Sequence, residues 1–305
     1  MTHRSSLPKA RPGTIRPNTL WLLGPAMLML IVWTQIPFVL TIYHSFRRFN
    51  LLNPERQGYV GFGNFASLLT DSIFWTSIGN TLVLVGAVLI VTMVAGLFLA
   101  ILFYQEFPGR ALARTLVISP FFIMPVVSAL IWKNMLMHPV YGLFAWAAQS
   151  LGQRPVDWLA TYPMQSIVAM VSWQWIPFAL LLILTGLQSL SKEQLEAAKI
   201  DGANAWQEFR YIIVPHLAQT LSVVVMLETI FLLTIFAEIY ASTSGGPGLA
   251  TTTLPYLIYI KAFAEYRIGV AAAGAVFAVI LANIVAIFVL RMIGRNLQAT
   301  KGGMA

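Results

Sequence analysis

Charged side chains are scarce. Asp, Glu, Lys and Arg make up 10% of the 305 residues, and 58% are hydrophobic, whereas a soluble domain carries about 25% charged residues. So few polar groups cannot cover a water-facing surface, which excludes a soluble globule and implies a surface facing lipid. Cysteine is absent, so there is no disulfide framework and no thiolate metal site, and redox compartment is unreadable. The histidines His3, His44, His138 and His216 share no metal-ligand spacing and no H-E-x-x-H occurs, so neither a metal site nor a catalytic residue is assigned. No G-x-x-x-x-G-K-[ST] is present and no lysine follows a glycine. The chain therefore lacks that device for cradling nucleotide phosphates. The net charge of +8 would suggest nucleic acid in a soluble protein. Here the basic residues lie in short loops beside apolar runs, where membrane orientation is the simpler cause and nucleic acid is not expected.

What the chain does have is long apolar runs. A span needs about 20 mostly apolar residues, and six stretches qualify, near 20–46, 79–104, 115–137, 165–187, 217–242 and 268–290. The expected fold is an all-α integral membrane protein of six transmembrane helices. Residues 1–19 read as a flexible basic tail, 20–298 as the membrane domain and 299–305 as a C-terminal tail. The first run is too long for a signal-peptide core and lacks a small-residue cleavage site, so it reads as a retained helix. Pro25, Pro37, Pro120, Pro125 and Pro177 fall inside spans, where neighbouring helices re-satisfy the freed carbonyls. With the N-terminus inside, 12 of the 19 Lys and Arg fall on the inner side, which places both termini in the cytoplasm. Trp21, Trp75, Trp132 and Trp158 fall near span ends, as an aromatic belt requires.

The inner loop 188–216 is the most charged part of the chain. Ser191 and Gln194 have capping-box spacing ahead of a short helix, Lys192 to Ile200, which Gly202 ends in a left-handed conformation. Trp206, Phe209 and Ile213 form one apolar face of a second helix, expected to stop before Pro215. This helix–turn–helix exceeds what is needed to join two spans.

The run Glu196-Ala-Ala-Lys-Ile-Asp201-Gly202-Ala203, continuing to Phe209, Ile212, Pro215 and Leu217, resembles the signature of ABC-importer permeases. In that family the loop presents a coupling helix to a cleft on the ATPase subunit. Small Ala197, Ala198 and Ala203 suit close approach, Gly202 the turn, and Glu196 and Asp201 polar contacts. Val60 to Phe65, and Gly245-Gly-Pro247 with Thr251 to Thr253 and Tyr256, are similar to outer-loop motifs of sugar permeases. Ser119 to Pro125, Trp132 to Asn134, Trp173 to Phe178 and Ile230 to Ile239 look most like polyol (mannitol/sorbitol) permeases. The resemblance covers roughly residues 20 to 298. It implies a bacterial cytoplasmic-membrane complex of this permease, a second permease, two ATPase subunits and a periplasmic binding protein. ATP and Mg would sit on the ATPase partners, and this chain would bind no cofactor.

Polar residues inside spans point to a pathway, because lipid burial is costly. Glu228 and Gln174 fall at similar depth, roughly 16 and 14 Å into consecutive spans. With Trp175, Phe178 and Phe231 they could replace the water around a neutral polyol; the alternative is a structural carboxylate at Glu228. Glu238, about 31 Å along the same straight helix, is expected at the outer interface and solvated. Asn283 reads as glue between helices beside Gly274, Ala275, Ala278 and Ala282. An ion-coupled transporter and a polytopic membrane enzyme remain the rival classes. Glu228 and Glu238, about 15 Å apart on one helix, are too far separated to act on one bond as an acid–base pair.

Overall fold

The computed structural model describes residues 17–302; the basic segment ahead of Pro17 and the last three residues lie outside them. The first run forms α1 (Pro17–Ser45). A two-residue hairpin follows, β1 (Arg47–Arg48) against β2 (Gly58–Tyr59), and then α2 (Gly63–Leu69). α3 (Ser72–Tyr104) starts well before the expected residue 79. Asp71 caps it, its carboxylate accepting the Ile73 N–H at 2.9 Å.

The expected third span is not one straight helix. α4 (Arg110–Ile118) runs into a 3-10 turn ending at Phe122, and α5 (Pro125–Leu130) into a π turn, Ile131–Leu136; the two arms meet at 103°. Pro125 is the cause. It lacks an N–H and disfavours helical backbone at Met124, so Ile123 and Met124 are extended, with ψ of 133° and 137°. α6 (Leu143–Ser150) and α7 (Trp158–Thr161) lead to α8 (Pro163–Gln188), the most deeply buried span.

α3 and α8 lie side by side and parallel. Leu84, Val85 and Val88 pack with Ile167, Met170 and Val171, while Ala100 and Phe103 pack with Ile183, Leu184 and Leu187. Gly96 permits the approach, since a Cβ there would stand 2.7 Å from that of Ala179. This register decides the span count. α3 ends at the end of the bundle that carries the 188–216 loop, and α8 begins at the end that carries the hairpin. The chain between them must cross, so the bent α4–α5 pair is one span and the total is six.

α9 (Lys192–Ile200) and α10 (Ala205–Glu208) follow α8, and α11 (Val214–Leu232) returns antiparallel to it. Gly186 sits against Leu217 and Thr220, and His216 Nε2 lies 3.0 Å from Ser189 Oγ, tying the two helices at the loop end. The second loop helix does not stop before Pro215. A π turn, Phe209–Ile213, carries it into α11, with Pro215 directly after the turn, where the widened ladder accommodates the residue that lacks an N–H.

The fifth span also breaks. α11 ends at Leu232, and α12 (Ala237–Ser242) starts only after Phe236, whose φ is −138°. Thr234 Oγ1 donates to the Phe231 carbonyl at 2.7 Å and helps close the end of α11. The loop after α12 is pinned to α3, with Asn80 Nδ2 donating to the Leu249 and Thr252 carbonyls at 2.8 and 3.0 Å. α13 (Leu254–Tyr259), with a π turn to Ala264, leads to α14 (Ile268–Gly302), which continues past the expected end at 290 and into the expected tail. Asn283 does not bridge helices: its amide donates to the Val279 carbonyl of its own helix at 2.8 Å.

Candidate functional site

The two helix breaks and α8 line an open cavity of about 510 Å³. One wall is Phe121, Ile123 and Pro125 from the α4–α5 break. α8 supplies Gln174 and Trp175, and the α11–α12 break supplies Phe231, Thr234, Ile235, Phe236, Ala237 and Glu238. Breaking a helix frees carbonyls, and Gln174 meets one of them: its Nε2 donates to the Ile123 carbonyl at 2.7 Å. Its Oε1 is buried and without a partner among the described residues. The Trp175 ring lies 5.4 Å from Phe231 and 5.9 Å, edge to face, from Phe121.

Of the five residues expected on the pathway, Gln174, Trp175 and Phe231 line this cavity, and Phe178 and Glu228 do not. Phe178 stands behind the wall, 5.7 Å from both Trp175 and Phe121. Glu228 is fully enclosed. Its Oε2 accepts from Thr92 Oγ1 of α3 at 2.6 Å, and its Oε1 has no partner among the described residues. Glu238 is the residue that straight-helix reasoning misplaces. The break at 233–236 turns α12 inward, so Glu238 is 4% exposed and on the cavity wall, not solvated at an outer surface. An acidic residue inside an apolar run is the signal that could have found it. Among the described residues it is the only ionisable side chain lining the cavity. The arrangement offers aromatic faces for C–H edges and two acceptor groups for hydroxyls. Among the described residues no three His, Asp or Glu side chains could hold a metal ion.

At the opposite end, α9 stands clear of the core. Ser191 Oγ caps it by accepting the Gln194 N–H at 3.3 Å, while the reciprocal capping box forms at the next helix, between Asn204 and Gln207. α9 ends in a Schellman motif. The Ala203 N–H donates to the Ala198 carbonyl at 2.9 Å and the Gly202 N–H to the Lys199 carbonyl at 3.1 Å, with Gly202 at φ +83°. Glu196, Ala197, Asp201 and Gly202 are exposed, and Ala198 and Ala203 half-buried. Large apolar side chains stand out beside them, Ile200 at 87% and Trp206 at 68% exposure.

A six-span helical membrane protein with a largely aromatic and aliphatic cavity carrying a few polar groups, and with a protruding helical loop, has the features of a transport subunit. Residues 92–299 match the family described as binding-protein-dependent transport system inner membrane component. The chain belongs to that family: it is a multi-pass permease subunit of an ABC importer, working with a solute-binding protein. It is 35% identical over 269 residues to the probable ABC transporter permease protein y4oQ of Sinorhizobium fredii, covering 87% of each chain. It is 34% identical to the trehalose/maltose transport system permease protein MalF of Thermococcus litoralis, covering 80% of this chain and 82% of that one. In fold it matches a solved chain from a bacterial ABC transporter that imports the acidic polysaccharide alginate, with a TM-score of 0.77 at 22% identity, covering 91% of this chain and 96% of the other.

Proposed function

We propose that this permease imports a neutral saccharide or polyol, held in transit in the cavity between the two helix breaks. The observation that carries the reading is the cavity itself: facing aromatic rings, an unpartnered buried amide oxygen at Gln174 and a buried carboxyl group at Glu238. Hydroxyls that leave water need acceptors, and sugar C–H faces need flat apolar partners. Relatives named for trehalose/maltose and for starch degradation products support a saccharide. The resemblance of 119–125, 173–178 and 230–239 to polyol permeases supports a polyol. In this reading Gln174, Trp175, Phe231 and Glu238 touch the solute, Phe178 backs the wall, and Glu228 fixes α11 to α3.

The hairpin end faces outward and the 188–216 loop faces the cytoplasm, on the distribution of basic residues. Glu196, Ala197, Ala198, Asp201, Gly202 and Ala203 then meet an ATPase subunit, which binds ATP and Mg, and this chain hydrolyses nothing itself. A second permease completes the pathway. The test is the importer complex reconstituted in liposomes with its binding protein, assayed against maltose, trehalose, mannitol and sorbitol. One or more should stimulate ATP hydrolysis and accumulate inside. Glu238→Gln loses the charge that strengthens a hydrogen bond, and should lower uptake about tenfold with assembly intact. No response to any saccharide or polyol overturns the reading.

A further inference from the structure

A second cavity, polar and of about 410 Å³, lies at the hairpin end, bounded by β1 and the turn after it, by α2 and by the start of α14. Its charged lining residues are Arg48, Arg56 and Arg267, with Asn50, Asn53 and Asn64 between them, and among the described residues no carboxylate lines it. Nearby Lys261 is neutralised, held by Glu265 at 2.9 Å and Asp71 at 3.7 Å. Arg48 and Arg56 make no salt bridge within 4.0 Å among the described residues, and Arg267 reaches only Glu265, at 3.5 Å. Three arginines thus line one cavity with a single, shared carboxylate near them, an excess of positive charge that an anion would offset.

The backbone beneath them is fixed. The Gly269 N–H donates to the Phe49 carbonyl and the Leu51 N–H to the Tyr266 carbonyl, each at 3.0 Å. The buried Asn64 amide donates to the Ser45 and Arg47 carbonyls, each at 2.8 Å. A Cβ at Gly269 would collide with the Arg47 carbonyl, so the start of α14 is locked against the hairpin. The convergence of arginines from segments more than 200 residues apart in sequence is therefore built into the fold.

Position identifies the anion. α1 ends at Ser45 and α14 begins at Ile268, so the cavity sits at the ends of two of the spanning helices. In the last turns of α1, Val39 and Ile42 are exposed apolar surface, and the exposed Tyr43 carries its hydroxyl to Arg47. A ligand with a phosphate at this level and acyl chains beneath it meets both features at once. We propose that Arg48, Arg56 and Arg267 bind the headgroup phosphate of a phospholipid whose chains lie along α1. An acidic surface of a protein partner would satisfy the arginines but leave the apolar face of α1 unaddressed.

The test uses the intact importer complex in mixed micelles containing phosphatidylglycerol, with native mass spectrometry counting the lipid retained after dilution. Each of Arg48→Gln, Arg56→Gln and Arg267→Gln should lower retention about fivefold, and the triple variant on the order of a hundredfold. A triple arginine-to-lysine variant keeps the charge and should fall between. The arginine side chains are exposed or half-exposed, so the single variants should elute as wild type in size exclusion, and they carry the test if the triple does not assemble. Equal retention by wild-type and glutamine variants overturns the proposal. Displacement by inorganic phosphate alone would make this a free-anion site. Loss of binding-protein-stimulated ATP hydrolysis with lipid retention unchanged would make it a protein-docking patch. Either result also overturns the proposal.

Discussion

Two carboxyl groups on one span both stand elsewhere than depth along a straight helix would put them. Glu228 is enclosed against α3 with one bond, from Thr92, and Glu238 faces the cavity. Thr92→Val keeps the shape and removes that bond, so it should destabilise the purified complex by about 1–3 kcal/mol, read as a lower thermal midpoint. Thr92→Ser should restore it. Unchanged stability in Thr92→Val, with uptake lost in a fully assembled Glu228→Ala complex, would return Glu228 to the pathway. The sequence shows that both acids lie in an apolar run. It misplaces Glu238 because a depth of 1.5 Å per residue assumes helix through Leu233–Phe236, which are not helical, and depth alone does not say that Glu228 faces α3.

At the scale of elements, the loop signals are legible because they are local. Ser191 ahead of a charged run and Gly202 after it specify a cap and a Schellman turn without help from distant residues. Gly202 sits at φ +83°, with open space in this chain where a Cβ would stand. Gly202→Ala therefore meets backbone strain of roughly 1–2 kcal/mol, and Gly202→Asn less, since asparagine tolerates this conformation. If coupling depends on the turn alone, binding-protein-stimulated ATP hydrolysis should rank Gly, Asn, Ala. Equal and complete loss in Asn and Ala would instead locate the fault in contact with the ATPase. The breaks in the third and fifth spans are less legible. Proline is tolerated in membrane helices, so Pro125 alone does not distinguish a kink from a 103° bend. The outcome depends on Gln174, 51 residues away, bonding the freed Ile123 carbonyl. The π turn ahead of Pro215 has the same character: a proline predicts an interruption, and packing decides its form.

For the whole molecule, the six-span count follows from α3 and α8 running parallel, and it places both ends of the described chain at the loop end. The absence of cysteine gives a clean test of sidedness. Gln57→Cys, on the hairpin, and Glu106→Cys and Gln207→Cys, on the opposite end, all replace exposed side chains. In intact cells an impermeant thiol reagent should label the first and spare the other two. Labelling of Gln207→Cys from outside would invert the orientation. α1 packs little of its apolar surface within this chain: Trp33 is 84% exposed and Met29 75%, as befits a helix that meets lipid or the second permease.

The close glycine contacts lie toward the two ends. Gly96 and Gly186 lock α3, α8 and α11 together near the loop, and Gly269 and Gly274 lock α14 to the hairpin and to α13. The interrupted backbone lies between them, at Ile123–Met124 and Leu233–Phe236. The unbroken α3, α8 and α14 run past this level, and only the α4–α5 and α11–α12 walls are interrupted there. In mechanical terms those two walls are hinges set against rigid struts, and they are also two sides of the cavity.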